Sequence, residues 1–204
     1  YGEKDLEKFG HLSLRMPGKH NQLNALAVLT LIKYGRLSLP YDMGGLASHI
    51  LEGFKGTARR FEIKGKLENG VLLIDDYAHH PTEVRATLKA ARELYPKKRI
   101  FCVFQPHTFT RTKALLKDFG RSFESADEAL ILDIYGSARE KSGSVHSKDL
   151  VNLILKNKSK AKYLSDIKRA ADYLKQQMKS GDIIITMGAG DVWRLSTALT
   201  LKIG

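Results

Sequence analysis

The chain has 204 residues, 43% hydrophobic and 27% charged, with 34 lysine and arginine residues against 22 aspartate and glutamate, a formal charge of +12. At roughly 150 residues per domain the length fits one large domain or one domain with part of a second, and the composition excludes a disordered or fibrous chain. A single cysteine, Cys102, excludes an internal disulfide and a cysteine-based zinc site. No run is apolar for long enough to span a bilayer, and the first residues lack a basic-then-apolar leader. The expectation is a cytoplasmic protein with no membrane partner. Because the chain begins at Tyr1 inside what reads as a working sequence, a fragment is expected.

In chain order, residues 11–16 alternate as a short strand, which Pro17-Gly18 ends. Apolar residues crowd 21–34, a pattern expected of a helix buried on more than one side, with Gly35 as its stop. A second helix is expected over 42–51. One strand and two helices cannot form a core, so residues 1–57 read as the tail of a domain and 58–204 as a second domain. The second begins with strands at 61–67 and 71–74, joined at Asn69-Gly70, a strong hairpin signal. Helices are then expected at 81–95, 112–124, 147–156 and 167–179, with a last one starting near Asp191. They interleave with strands at 99–104, 128–134, 162–164 and 182–186. Strands alternating with helices predict an α/β fold with a mainly parallel sheet covered on both faces.

The charge is uneven. Residues 156–179 hold eight basic and two acidic residues, half of the net excess. Lys156, Lys158, Lys160 and Lys162 alternate there without interleaved aromatic rings, unlike the stacking platforms of single-strand binders. This stretch reads as a solvated helix end and loop, so no nucleic-acid partner is expected. A positive excess also suits a small anionic ligand.

Ligands in parallel α/β sheets bind at the carboxyl ends of the strands, and the unusual residues fall there. Four loops carry them: Asp75-Asp76-Tyr77-Ala78-His79-His80-Pro81-Thr82-Glu83, Gln105-Pro106-His107-Thr108-Phe109-Thr110-Arg111-Thr112, Tyr135-Gly136-Ser137-Ala138-Arg139-Glu140-Lys141, and Met187-Gly188-Ala189-Gly190-Asp191. Pro81 and Glu83 suit a helix start, which leaves an aspartate, a tyrosine and a histidine for a ligand. A carboxylate at a strand end suits the two hydroxyls of a ribose. Thr110 fits a helix cap. Arg111 near a helix start opposes the dipole, and a carboxylate or phosphate partner accounts for it. Asp191 serves equally as a cap or a ligand contact. The glycine run lacks the third glycine of a dinucleotide fingerprint, no histidine spacing matches a zinc site, and there is neither a phosphate loop nor a nucleophile elbow.

Gly18-Lys19-His20-Asn21-Gln22-Leu23-Asn24-Ala25-Leu26-Ala27, then Arg59-Arg60-Phe61, then the 75–83 run, resemble the ATP-dependent Mur ligases in order and spacing, over essentially the whole chain. The 75–83, 104–112, 133–141 and 188–191 runs resemble most the members that join L-alanine to UDP-N-acetylmuramate. A member that re-attaches murein tripeptide is the alternative, and a non-catalytic basic binding module is a further one. The resemblance implies a Rossmann-like C-terminal domain at 58–204, preceded by the end of a central ATP-binding domain at 1–57. The partners it implies are UDP-N-acetylmuramate, L-alanine, ATP, and the N-terminal and central domains of the same enzyme. Carried over by position, His20, Asn21 and Asn24 would lie against adenine, Arg60 near the nucleotide, and Asp76 at the ribose. Tyr77, His79, His107 and Arg111 would face the incoming amino acid, with His79 and Arg111 as the catalytic pair. The cofactors implied are ATP and Mg2+, with the phosphate loop and magnesium ligands upstream of this chain. The isolated chain is expected to be inactive.

Overall fold

The computed structural model describes residues 17–34, 53–54, 56–138, 140 and 142–200, with the side chains at 20, 32–34 and 200 outside the description. The expected strand at 11–16, the expected helix at 42–51 and Arg139 all lie outside the described residues. The chain divides into two compact units, Tyr1–Gly56 and Thr57–Gly204.

In the first unit, α1 is Lys19–Tyr34. Gly18, at φ 99°, turns the chain into it, and Asn21 Nδ2 donates to the Pro17 carbonyl at 2.7 Å. The expectation of burial on several sides is not met. Leu29 is buried, but Leu23, Leu26, Val28 and Leu31 are 47–65% exposed. The wide apolar circumference is real, and most of it is uncovered.

The second unit is a six-stranded sheet in the order β1-β2-β6-β3-β4-β5. The hairpin comes first: β1, Glu62–Lys66, lies antiparallel to β2, Leu72–Asp76. Gly70, at φ 80°, closes their turn by donating to the Leu67 carbonyl at 2.8 Å. Every later pairing is parallel. Along the chain, α2 (Pro81–Leu94) leads to β3 (Ile100–Phe104), and α3 (Phe109–Ala114) with α4 (Leu116–Phe119) to β4 (Glu128–Ile131). Then α5 (Ser147–Lys156) leads to β5 (Ala161–Tyr163), α6 (Ile167–Gln177) to β6 (Ile183–Met187), and α7 is Arg194–Thr200.

The central strands are buried on both faces, which is why they read as continuous apolar runs. Ile74, Cys102, Phe104, Ile131 and Ile185 face a core completed by Val84 and Leu88 of α2 and by Leu150 and Ile154 of α5. Leu73, Phe101, Val103, Leu130 and Ile184 face a second core completed by Ala170 and Leu174 of α6 and by Leu195 of α7. Each large side chain so buried is worth about 1.5–3 kcal/mol. The helices starting at Pro81 and Ser147 are capped alike. His80 and His146 accept from the N–H two residues on, while Glu83 and Asp149 bond back to the cap N–H.

Two elements depart from expectation. The helix expected over 112–124 is two short helices, broken at Leu115. It starts at Phe109, because Thr108 takes the left-handed backbone, φ 65°, and turns the chain in earlier. Thr110 is therefore inside the helix and is not its cap. The strand expected to reach 134 ends at Ile131. Among the described residues no helix is long and apolar enough to cross a membrane.

Connections after β2, β3 and β4 run over the face that carries α2 and α5, whereas those around β6 run over the face of α6 and α7. Strand β6 lies between β2 and β3. The loops leaving its carboxyl end and those of its neighbours therefore diverge to opposite faces, the position where an α/β sheet opens a crevice.

Candidate active site at the strand carboxyl ends

The four polar loops singled out in the sequence leave β2, β6, β3 and β4, which are consecutive in the sheet. Side-chain alternation at the end of β2 sends its two aspartates opposite ways. Asp76, 5% exposed, accepts from the Phe61 N–H at 2.8 Å through Oδ2 and from the Ala78 N–H at 2.7 Å through Oδ1. Burial raises its pKa above the ordinary aspartate value, against those two N–H donors, the nearby charge of Arg60 and the Thr87 hydroxyl. Asp75, 1% exposed, accepts from Arg59 Nε at 2.9 Å and from the Thr186 hydroxyl at 2.6 Å.

Arg59 makes the more extensive contacts of the arginine pair. Besides Asp75, its Nη2 donates to the Gly188 carbonyl at 2.6 Å and its Nη1 to the Gly190 carbonyl at 3.4 Å. Its guanidinium carbon lies 5.0 Å from the Tyr77 ring centroid. It thus ties the loop after β6 to the end of β2. Arg60 is exposed, 5.6 Å from the same ring. The backbone explains the split: Arg59 at φ 58° and Phe61 at φ 48° turn the chain sharply about Arg60.

Beyond Asp76 the chain presents Tyr77 and His79. The two rings meet edge-on at 5.3 Å. His79 Nδ1 lies 3.0 Å from the Tyr77 carbonyl and 3.5 Å from Glu83 Oε2. A carbonyl only accepts, so Nδ1 carries a proton and Nε2 is the ring nitrogen left to take one up. Glu83 also accepts from the His79 and His80 N–H groups, at 3.0 and 3.1 Å.

His79 faces His107 of the next loop, centroids 6.4 Å apart. Arg111 Nη1 lies 3.5 Å from His107 Nδ1. Burial first, then the charges of Arg111 and His79, push the His107 pKa below the ordinary histidine value, with Glu140 opposing. The start of α3 is held by Glu140 Oε1, which accepts from both the N–H and the hydroxyl of Thr110. Gln105 joins the neighbouring loops: its amide donates to Asp191 Oδ1 at 2.9 Å and its carbonyl accepts from the Val192 N–H at 3.2 Å. The Asp191 side chain is thus spent on Gln105, and the Asp191 carbonyl on the Arg194 N–H.

The second unit therefore brings Arg60, Asp76, Tyr77, His79, His107 and Arg111 to one edge of one sheet. In the first unit Asn21 and Asn24 lie on α1, Asn24 exposed and Asn21 bonded to Pro17, and the His20 side chain is outside the description. Arg59, Gln105, Tyr135 and Glu140 were missed as individuals from the sequence. Three of them stood inside loops already marked, and Arg59 stood beside a marked arginine.

Residues 59–190 match the family model described as Mur ligase, glutamate ligase domain. The chain belongs to the Mur ligase family. Among curated relatives, the UDP-N-acetylmuramate–L-alanine ligase of Caldanaerobacter subterraneus subsp. tengcongensis is 47% identical over 189 residues, covering 91% of this chain and 39% of that protein. The crystal structure of UDP-N-acetylmuramate-alanine ligase from Thermotoga maritima is similar with a TM-score of 0.75 at 29% identity, over 92% of this chain and 38% of that one. A murein peptide ligase from Psychrobacter arcticus 273-4 is similar with a TM-score of 0.68 at 26% identity, over 95% of this chain and 39% of that one. The chain spans about two fifths of the length of the curated relatives it matches. The Mur ligase match takes in three of the four loops whole and the fourth as far as Gly190.

Proposed function

We propose that this chain is the C-terminal part of an ATP-dependent ligase that joins L-alanine to the carboxylate of UDP-N-acetylmuramate. In this reading residues 58–204 are the complete C-terminal domain and 1–57 the end of the central ATP-binding domain. The N-terminal and central domains supply the sugar-nucleotide site and the phosphate loop. The observation that carries the reading is the convergence of Tyr77, His79, His107 and Arg111 on one sheet edge, in a Mur ligase chain whose curated relatives include L-alanine ligases.

The sugar-linked carboxylate oxygen takes the terminal phosphoryl group of ATP, the bond to ADP breaks, ADP leaves, and the carboxylate becomes an acyl phosphate. The amino nitrogen of alanine then bonds to the acyl carbon, phosphate departs with the bonding electron pair, and the amine loses a proton. Arg111 binds the alanine carboxylate, since a guanidinium pairs with both carboxylate oxygens at once. His79 takes the amine proton at Nε2, its ring fixed by the Tyr77 carbonyl and Glu83. Tyr77 and His107 flank the substrate. Asp76 has acceptor capacity left beyond its two backbone bonds and the Thr87 hydroxyl, which serves the ribose hydroxyls, and the exposed Arg60 lies beside it. In this reading adenine is contacted by His20, Asn21 and Asn24 of the first unit. Among the described residues no cluster of three or more His, Cys, Asp or Glu side chains could hold a metal ion. The acyl phosphate has to be shielded from water, and a domain that closes on nucleotide and amino acid provides that.

Phosphate release by the complete ligase, with ATP and UDP-N-acetylmuramate present, decides the substrate. L-Alanine is expected to stimulate it, and murein tripeptide is not. Stimulation by the tripeptide alone would transfer the chain to the murein peptide ligases.

A further inference from the structure

One ring at this edge has no part in the chemistry above. Tyr135, in the loop after β4, is 41% exposed, yet it is fixed from several directions. Its N–H donates to the Pro106 carbonyl at 2.8 Å and its carbonyl accepts from the Thr108 N–H at 2.9 Å. These bonds pair it with His107 in a short parallel bridge outside the named strands. Its ring lies nearly parallel to the His107 imidazole, 5.7 Å between centroids and 14° between planes. The Gly190 backbone lies against the same ring: a Cβ there would stand 2.7 Å from Tyr135 Cγ. Tyr135 is thus wedged between the loop after β3 and the loop after β6, and His107 is stacked against it.

The orientation of His107 matters because of Arg111. A guanidinium has donors only, so the 3.5 Å approach of Arg111 Nη1 to His107 Nδ1 is favourable only while Nδ1 keeps its lone pair. A protonated His107 would place two cations face to face.

We propose that Tyr135 is a positioning residue: its ring, braced on Gly190 and stacked on His107, holds the imidazole with Nδ1 toward Arg111 and so aims the guanidinium at the incoming carboxylate. This rests on the carboxylate-binding role of Arg111 proposed above. The groups facing His107 are Arg111 from α3, His79 from the loop after β2, and Glu140 from the loop after β4. The first two oppose protonation and Glu140 favours it. The stacked Tyr135 ring adds to the burial that is the largest influence on His107 and keeps water from one face.

The test uses the 204-residue chain. The pH titration of the His107 ring is followed by NMR in wild type, Tyr135→Phe, Tyr135→Leu and Gly190→Ala, and the complete ligase carrying each of these forms is titrated with L-alanine. Phe keeps the stacked ring, whereas Leu keeps apolar bulk without it. Gly190→Ala presses on the ring, and on Gln105 Oε1 at 2.5 Å, from the other side with Tyr135 still present, so the account does not depend on one variant folding. The His107 midpoint is expected below the ordinary histidine value in wild type and Tyr135→Phe, and higher in Tyr135→Leu and Gly190→Ala. L-Alanine affinity is expected to fall about tenfold in Tyr135→Leu, as a lost charge-assisted contact would give, and to be preserved in Tyr135→Phe. An unchanged His107 midpoint in both Tyr135→Leu and Gly190→Ala overturns the proposal. So does an equal loss of affinity in Tyr135→Phe, which would make the hydroxyl a direct contact. A wild-type complete ligase that ignores L-alanine, with the His107 midpoints of the chain shifting as expected, refutes the alanine reading and leaves the positioning of His107 standing.

Discussion

Arg59 donates through Nε to Asp75 Oδ2 at 2.9 Å, pairing a side chain at the entrance to the second unit with a carboxylate at the end of β2 that is 1% exposed. Removing one partner of a buried pair leaves the other charge uncompensated, which costs more than the pair contributes. The Arg59 side chain retains 22% exposure, so water recovers part of the loss. Arg59→Ala is expected to lower unfolding free energy by about 3 kcal/mol, read by urea denaturation. Arg60→Ala, at an exposed position, should stay within about 0.5 kcal/mol of wild type. Equal destabilisation by the two substitutions would refute the distinction.

Asp76 accepts two backbone N–H groups through two different oxygens. Asparagine offers one acceptor oxygen and must leave one donor unpaired. Asp76→Asn should therefore cost about 1–3 kcal/mol at neutral pH, and should weaken ATP binding by the complete ligase. Because burial raises the folded pKa of Asp76, the folded chain binds this proton more readily than the unfolded one. Wild type then gains stability relative to Asp76→Asn as pH falls through the folded value toward the unfolded one near 3.9. Parallel stability curves for the two proteins would contradict that sign.

His107 works in the opposite direction. Its folded pKa is lowered, so the unfolded chain takes up the proton first. Stability is expected to fall as pH drops from about 6.5, the ordinary histidine value, toward the folded midpoint. His107→Gln should lose that part of the slope. Denaturation at a series of pH values between about 7 and 5 measures it, and an identical slope in the variant would sink the assignment.

Gly188 sits at φ 146°, where a Cβ would lie 2.7 Å from the Gln105 carbonyl oxygen. Its own carbonyl accepts from Arg59 at 2.6 Å. Gly188→Ala should cost about 1–3 kcal/mol and loosen the Arg59 contact, lowering the melting temperature by several degrees. Gly53→Ala, whose added methyl group would meet nothing within 4 Å, serves as the neutral comparison. Similar melting temperatures for the two variants would argue against a tight loop.

Much of the second unit was legible because its signals are local. Buried parallel strands must be apolar throughout, Asn69-Gly70 marks a tight turn, and the helix at 147–156 lies where its pattern placed it. What was hidden depends on distant or conformational facts. The early start of α3 rests on Thr108 adopting a left-handed backbone, which no threonine announces, and on Glu140 reaching Thr110 from another loop. The choice between Arg59 and Arg60 turns on two further positive φ angles. The apolar circumference of α1 spoke for burial, but a periodicity cannot say what covers it. At the candidate site the loops were visible as clusters of titratable residues. Which member pairs inward and which faces the edge became visible only with the strand register.

The most direct measurement compares wild type with Arg111→Ala in the complete ligase that carries this chain, following phosphate release against L-alanine and against ATP. Stimulation by L-alanine is predicted in wild type. In the variant, loss of one charge-assisted partner should raise the KM for L-alanine about 30-fold while the KM for ATP changes less than about twofold. Phosphate release indifferent to L-alanine, or an equal rise in both constants, would contradict the account.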